Sequence, residues 1–552
     1  MSKPPSTSLC IFRALALAVS TVTLLFASTV RAQGNDMSSP TGGRSTLMGN
    51  TGVALGRDGS SPFMNPAGIV RIEDRRLAFS VNFYTFGLTN YSSFHVPSVV
   101  DTTQFAAPKN QVFITNNVSV LPSTLCLFFT LGDLQKIADP KAAPIPADRV
   151  MRRKLAICLA QLESEDVGLE AVHFESTSAS GPISQVASLS RRWSRTYVGL
   201  TYSSYLTDRV AIGASLNGIY THSRFGYDSS SILGKLGGGD VASSISMSGS
   251  AHALDLTAIA GVTYHASDVT TLGLSVRPPS LHVLGGYDGT FAQSSSGNGA
   301  DDSTVTNASG SFFAPTPLRV AAGIGFEWEK VKLEADTALV LPIANAMSTN
   351  VDATTSHLSA AGYEQTTSKA SFIVADHPVV NPALGMEYFV RRSFSFLGGV
   401  SASFSTLDTL TPQPTVGNLV QAKENDLAAA FGLGSYGEGK ELLVGTQFQF
   451  GWGSTLVADP YVVPNQWATV NMQSYALMFV VSGATDLRSI ERAVEKVKNA
   501  VETGDPNKAA PRTPDKTPTV TTATPTPEKA APERTAPKEP EGSGKDPTQA
   551  VP

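Results

Sequence analysis

Residues that could do chemistry are few in this chain, and they are scattered. Gly432-Leu433-Gly434-Ser435-Tyr436-Gly437 matches G-x-G-x-x-G, a loop that cradles a pyrophosphate when a strand precedes it and a helix follows. Here a second alternating segment, 442–450, follows instead, so the glycines read as a hairpin turn. None of the eight histidines falls in a group with metal-ligand spacing. No H-E-x-x-H, G-x-S-x-G or P-loop pattern occurs, so neither a catalytic centre nor a cofactor is expected. The formal net charge of -5 and the lack of a basic cluster in the alternating region argue against a nucleic-acid partner.

The elements that could position a site are strands. Only 16% of the 552 residues are charged, yet after the N-terminus no segment has the apolar length of a membrane helix. Segment 77–83 alternates large apolar with small or polar residues, the period of a strand with one apolar face. Alternation recurs at 197–205, 210–220, 254–264, 272–276, 318–328, 331–339, 383–390, 394–404, 427–433, 442–450 and 475–481. Tight connections such as Thr207-Asp208-Arg209, Ser267-Asp268, Glu329-Lys330 and Arg391-Arg392 alternate with long polar stretches at about 223–251, 281–316, 342–379, 406–424 and 452–470. Short turns on one side and long loops on the other are the pattern of an outer-membrane β-barrel, with the short turns periplasmic. Counting by parity gives an all-β fold of fourteen antiparallel transmembrane strands over 76–482, with both ends periplasmic. Tyr205, Tyr264, Trp328 and Tyr388 beside tight turns, and Tyr220 and Trp452 near long loops, fit interfacial belts.

The ends differ in composition. Lys3 and Arg13 precede an apolar run from 14 to 27, and Val30-Arg31-Ala32 offers a cleavage site, so 1–32 reads as a signal peptide. Leu487, Ile490, Val494, Val497 and Val501 recur at helical spacing, with Thr485 or Asp486 as a cap and Gly504 as a stop. This predicts a short amphipathic periplasmic helix over 483–504. The rest, 505–552, is Pro/Thr/Lys-rich without an aromatic and is expected to be disordered, either a passive tail or a tether to a cell-wall or periplasmic partner.

Three local features stand out. The first is the Gly-rich stretch 49–71, which ends in Asn65-Pro66-Ala67-Gly68 just before the strands begin. The second is Glu163-Ser164-Glu165-Asp166-Val167-Gly168, which interrupts the third alternating segment. Either that strand ends there and a loop begins, or the wall is bent or breached. The third is the cysteine pair Cys126 and Cys158, each inside an alternating segment. With Leu125, Leu127 and Ile157 toward lipid, both face inward, either bridged or as two buried thiols.

The run Gly49-Asn50-Thr51-Gly52-Val53-Ala54, the pair Asp58-Gly59 and Asn65-Pro66-Ala67 resemble the N-terminal hatch of the FadL family, outer-membrane transporters of long-chain fatty acids and aromatic hydrocarbons. The hairpins 197–220 and 263–278, with Leu-Gly-Leu-Ser-Val-Arg at 272–277, are similar to the family's as well. The resemblance implies a lumenal hatch (plug) over 33–75, with Asn65, Pro66, Ala67 and Gly68 as its gating corner. It implies passive uptake of a long-chain fatty acid or other hydrophobic small molecule, by a monomer surrounded by outer-membrane lipid. It also implies lateral exit at the third strand, where Glu163, Ser164, Glu165, Asp166 and Gly168 mark the candidate gap. The alternative is a non-transporting barrel that serves as an anchor or secretion-linked scaffold through its C-terminal helix and tail. Relatives of this type usually end at the last strand, whereas this chain continues beyond it.

Overall fold

The computed structural model describes residues 41–72, 76–92, 111–118, 123–133, 152–178, 181–233, 241–297, 300–343, 347–374, 377–407, 422–437, 439–459 and 466–486. The predicted signal peptide, the first residues of the expected hatch (33–40), the expected helix beyond 486 and the tail lie outside them.

Nineteen strand segments form one antiparallel sheet of fourteen staves. The first stave is β1 (Arg76–Ser92), and the second is β2 (Gln111–Val118) followed by β3 (Thr124–Asp133). Staves three to six are single strands: β4 (Arg152–Ser178), β5 (Gly181–Tyr205), β6 (Val210–Leu233) and β7 (Val241–His265). Each of the next four is broken in two: β8 (Thr270–Arg277) with β9 (Leu281–Gly297), β10 (Ala300–Phe313) with β11 (Leu318–Glu327), β12 (Val331–Leu341) with β13 (Met347–Ser359), and β14 (Gly362–Val374) with β15 (Val379–Arg391). The last four are β16 (Phe394–Ser403), β17 (Ala422–Gly437), β18 (Lys440–Asp459) and β19 (Gln466–Asp486). β1 pairs with β19 from Arg76↔Asp486 to Ser92↔Asn471, so the sheet closes on itself. The expected count of fourteen is therefore met, and closure leaves no continuous edge for the bilayer to meet.

Side-chain parity sets what each face touches. On β5, Val198, Leu200 and Tyr202 are exposed while Tyr197, Thr201 and Ser203 are buried. On β3, Leu125 is exposed while Cys126 and Phe128 are buried. The outer face is thus an apolar band for lipid, and the inner face carries the polar and small residues. Tyr264, Trp328, Tyr388 and Tyr220 are outward and exposed. Tyr205 is not: it shares the inner face with Ser203, is buried, and packs on Ala67 and Val70.

Several expectations are corrected by the register. The stretches read as long loops at 223–251, 281–316, 342–379 and 452–470 are mostly paired strand, as in Leu233↔Val241, Gly297↔Ala300, Ser359↔Gly362 and Asp459↔Gln466. They are Ser-, Thr- and Gly-rich because these hairpin ends project past the hydrocarbon layer, where no lipid requires an apolar face. The third stave does not end at Glu163. β4 runs on through Gly168, with Glu163 opposite Arg195 and Asp166 opposite Arg192 in the backbone register. Glu163 finds in Arg195 the ionic partner that it lacked in the sequence. At the C-terminal end, β19 continues through Asp486, with Thr485 paired to both Leu77 and Lys440. Residues 483–486 therefore belong to the wall.

Candidate functional site: an inner segment seated on the barrel wall

Residues 41–72 form two short helices, α1 (Gly43–Leu47) and α2 (Ser61–Met64), and a 3-10 turn over Pro66–Arg71. Nearly all of this segment is buried against the inner face of the barrel. Asn65 joins α2 to the 3-10 turn. Its Nδ2 donates to the carbonyl of Val53 at 2.6 Å and to that of Val262 on β7 at 3.1 Å. Its Oδ1 accepts the Ala67 N–H at 3.1 Å, capping the turn that Pro66 begins with its fixed φ. One side chain therefore ties the Gly-rich run, the turn and the wall together. Gly68 packs so closely that a Cβ there would stand 2.6 Å from the Gly56 carbonyl oxygen. The four residues Asn65, Pro66, Ala67 and Gly68 are thus brought together at one corner.

The wall meets this backbone with carboxylates. One oxygen of Asp336 accepts the N–H groups of Gly52 and Val53 at 2.7 and 2.9 Å. One oxygen of Glu334 accepts those of Ala54 and Leu55 at 2.7 and 2.8 Å. Both acids lie on the inner face of β12, two residues apart, so they hold four successive amides of the Gly-rich run. Each acid satisfies two buried N–H groups, which would be costly to leave without a partner.

Paired glycines provide the room. Four Gly–Gly cross-strand rungs meet the inner segment: Gly213↔Gly261, Gly273↔Gly323, Gly385↔Gly399 and Gly432↔Gly445. Every one of these eight glycines sits under the inner segment. A Cβ on Gly273 would lie 2.1 Å from the Val53 carbonyl oxygen, and one on Gly399 2.3 Å from the Met48 carbonyl carbon. The glycine of the G-x-G-x-x-G match at Gly432 is one of them, its space filled by Leu47, so the motif serves packing rather than phosphate.

An ionic network holds the segment's other edge. Arg44 pairs with Glu387 at 2.8 Å, while Ser395 and Tyr436 donate to the same carboxylate. Arg71 pairs with Glu327 in a close contact, and Arg57 lies 3.5 Å from Glu327 and 3.7 Å from Glu387. Burial works against the charge on Arg44, but the facing Glu387 outweighs it and raises the arginine's pKa. Burial, followed by repulsion from Arg44, lowers that of Arg57. A cavity of about 60 Å³ lies beside the segment, lined by Asn50, Val53 and Met64 and by Arg319, Asp336, Asn381 and Ser401 of the wall.

Farther along the lumen, Glu163 accepts from Arg195 at 3.0 and 3.2 Å and from the indole N–H of Trp193 at 3.1 Å. Arg195 also donates to the Ala314 carbonyl at 2.8 Å. Ser164 faces outward, while Glu165, Asp166 and Gly168 are placed by backbone register only. Still farther, Tyr91, Phe225, Tyr227, Met247, Tyr287, Phe312, Met347 and Met472 pack together as one buried cluster. Aromatic and methionine side chains make an apolar surface that can repack around a guest.

The pairing on this side of β4 changes beside Glu163. The β3–β4 ladder reaches Thr124↔Ala160, and past it the Gln161 N–H donates to the Ser123 carbonyl at 2.8 Å. Beyond it β2 pairs with β1, from Tyr84↔Val118 to Tyr91↔Gln111. No described ladder joins β2 to β4. Leu162 forms a bulge between the Gln161↔Thr196 and Glu163↔Arg195 rungs, and a bulge locally increases bend and twist. Below the end of the ladder, Cys126 and Cys158 form a directly opposed rung and are disulfide-bonded, with Cα atoms 4.2 Å apart.

Sequence reasoning located the Asn65 corner and the two cysteines but missed Glu334, Asp336, Glu387, Arg44 and the glycine rungs. A usable signal was present in Glu334-Ala335-Asp336, two acids on one strand face opposite Gly325 and Gly323.

No protein-family model matches the chain, and no curated protein does. Solved structures do align with it. The CymD monoaromatic hydrocarbon channel is 12% identical, with a TM-score of 0.47 over 81% of this chain and 97% of its own. A FadL homologue of Pseudomonas aeruginosa is 12% identical, with a TM-score of 0.46 over 82% of this chain and 100% of its own. The Pseudomonas putida toluene transporter TodX is 14% identical, with a TM-score of 0.46 over 83% of this chain and 99% of its own.

Proposed function

We propose that this chain is an outer-membrane importer of hydrophobic small molecules, with residues 41–72 as its hatch. The observation that carries the reading is the contrast within one lumen. A buried aromatic and methionine cluster lies on one side of the inner segment's seat, while the seat itself is made only of noncovalent contacts to buried carboxylates and glycine rungs. An apolar solute partitions into the first, and the second can be vacated without breaking a covalent bond. The hatch-like residues Asp58-Gly59 and Asn65-Pro66-Ala67 support the same reading. The long-chain fatty acids and aromatic hydrocarbons of the family they resemble are the ligand classes to try first.

The break between β2 and β4, with the Leu162 bulge and Glu163 at its foot, supports lateral exit of the solute into the bilayer. An apolar solute leaving this way never crosses bulk water, which suits its partition preference. The transport reading is tested by uptake of tritiated oleate and of toluene in cells carrying the wild-type chain or Asn65→Ala. Expected is uptake above barrel-free cells, changed at least threefold by the substitution at equal amounts of assembled barrel. Uptake equal to that of barrel-free cells defeats the transport reading, and equal uptake by both proteins defeats a gating role for Asn65.

A further inference from the structure

We propose that the Cys126–Cys158 disulfide fixes the foot of the wall opening and, at the same point, seats the inner segment. The inference rests on the lateral-exit reading for its functional meaning, but not for its geometry. The β3–β4 ladder ends at Thr124↔Ala160, and the next rung is Leu125↔Leu159. The third is the disulfide itself. Past this end only the Gln161 N–H to Ser123 carbonyl bond is described, and a ladder frays from its end inward, because each terminal pair has neighbours on one side only. Noncovalent rungs can open in succession as a solute presses through the gap. Opening stops at a covalent rung.

The same short stretch of β3 touches the inner segment. Thr124 Oγ1 accepts the Gly42 N–H at 3.1 Å. Cys126 Sγ lies 3.5 Å from the Gly59 carbonyl oxygen. A Cβ on Gly59 would stand 3.0 Å from Thr124 Cγ2, so the segment is in close contact with these rungs. Unzipping past Cys126 would pull this side of the seat away from residues 58–60. The disulfide therefore limits the depth of opening: the rungs at Thr124 and Leu125 can part, while the rung at Cys126 keeps β3 and β4 joined beside residues 58–60.

Hydrogen exchange read by mass spectrometry on the full chain in lipid nanodiscs tests this. The wild type is compared with Cys126→Ser/Cys158→Ser, and with Cys126→Ala/Cys158→Ala should the serine pair fail to fold. Loss of the bridge is expected to speed exchange at least tenfold at 125–128, 156–159 and 58–60. Amides 52–55, held by Glu334 and Asp336, and the β5–β6 ladder should keep their wild-type rates. Unchanged rates at 125–128 and 156–159 overturn the proposal. So does an equal acceleration throughout the barrel, which would mark the bridge as general stabilisation. Tritiated oleate uptake by the wild type judges the transport route separately, so either reading can fail while the other stands.

Discussion

Gly261 lies directly beneath Asn65: a Cβ on the glycine would stand 2.0 Å from the asparagine Oδ1. The wall is therefore fitted to the inner segment by omission as well as by contact. Gly261→Ala should push Asn65 off its bonds to Val53 and Val262, at about 1–3 kcal/mol for overpacking a fitted interface. Gly218 is the control, because its nearest neighbour would be the Val198 carbonyl oxygen at an ordinary 3.9 Å. Limited proteolysis of folded barrels should cut 41–72 at least several-fold faster in Gly261→Ala and at the wild-type rate in Gly218→Ala.

Glu334 and Asp336 each accept two backbone N–H groups, so what matters is the acceptor oxygen and then its charge. Asp336→Asn keeps an oxygen and should cost roughly 1 kcal/mol, whereas Asp336→Ala strands two buried donors and should cost about 2–4 kcal/mol. The same order should hold for Glu334→Gln and Glu334→Ala. Hydrogen exchange at 52–55 measures it, and equal protection in the amide and alanine variants would contradict the clamp.

Arg195 is buried with Glu163 as its ionic partner. Glu163→Gln preserves the hydrogen-bonding shape but removes the ion-pair partner of a buried guanidinium, leaving Asp255 as its remaining nearby acid, a change that costs on the order of 3–5 kcal/mol in a buried pair. A lower melting temperature for Glu163→Gln, partly restored in Glu163→Gln/Arg195→Gln, is the expected pattern. A double variant no more stable than the single one would show that the pair does not act as a unit.

The staves were legible because lipid enforces a period on them: Val198, Leu200 and Tyr202 alternate with inward residues wherever the hydrocarbon layer reaches. Beyond that layer the selection ends, so residues 223–233 and 241–251 looked like loop although they pair with each other. Asn65-Pro66-Ala67 was legible because cap, ring and small residue are local chemistry. Its seat was not, since Asp336 meets Gly52 across 284 positions. The run at 163–168 looked like a broken strand because Glu163 was read without Arg195 of β5, which meets it only once the register is known.

The seat has an electrical side. Glu327, Glu334, Asp336 and Glu387 project from the wall into the lumen; the inner segment brings Arg44, Arg57 and Arg71 to Glu327 and Glu387, and backbone N–H groups to Glu334 and Asp336. Remove residues 41–72 and the acids keep only wall cations such as Lys332 and Arg319. A barrel lacking 41–72 should therefore conduct as a cation-selective pore, with a reversal potential displaced toward that of potassium in a potassium chloride gradient. The inner segment would then be a source of electrical balance in the lumen.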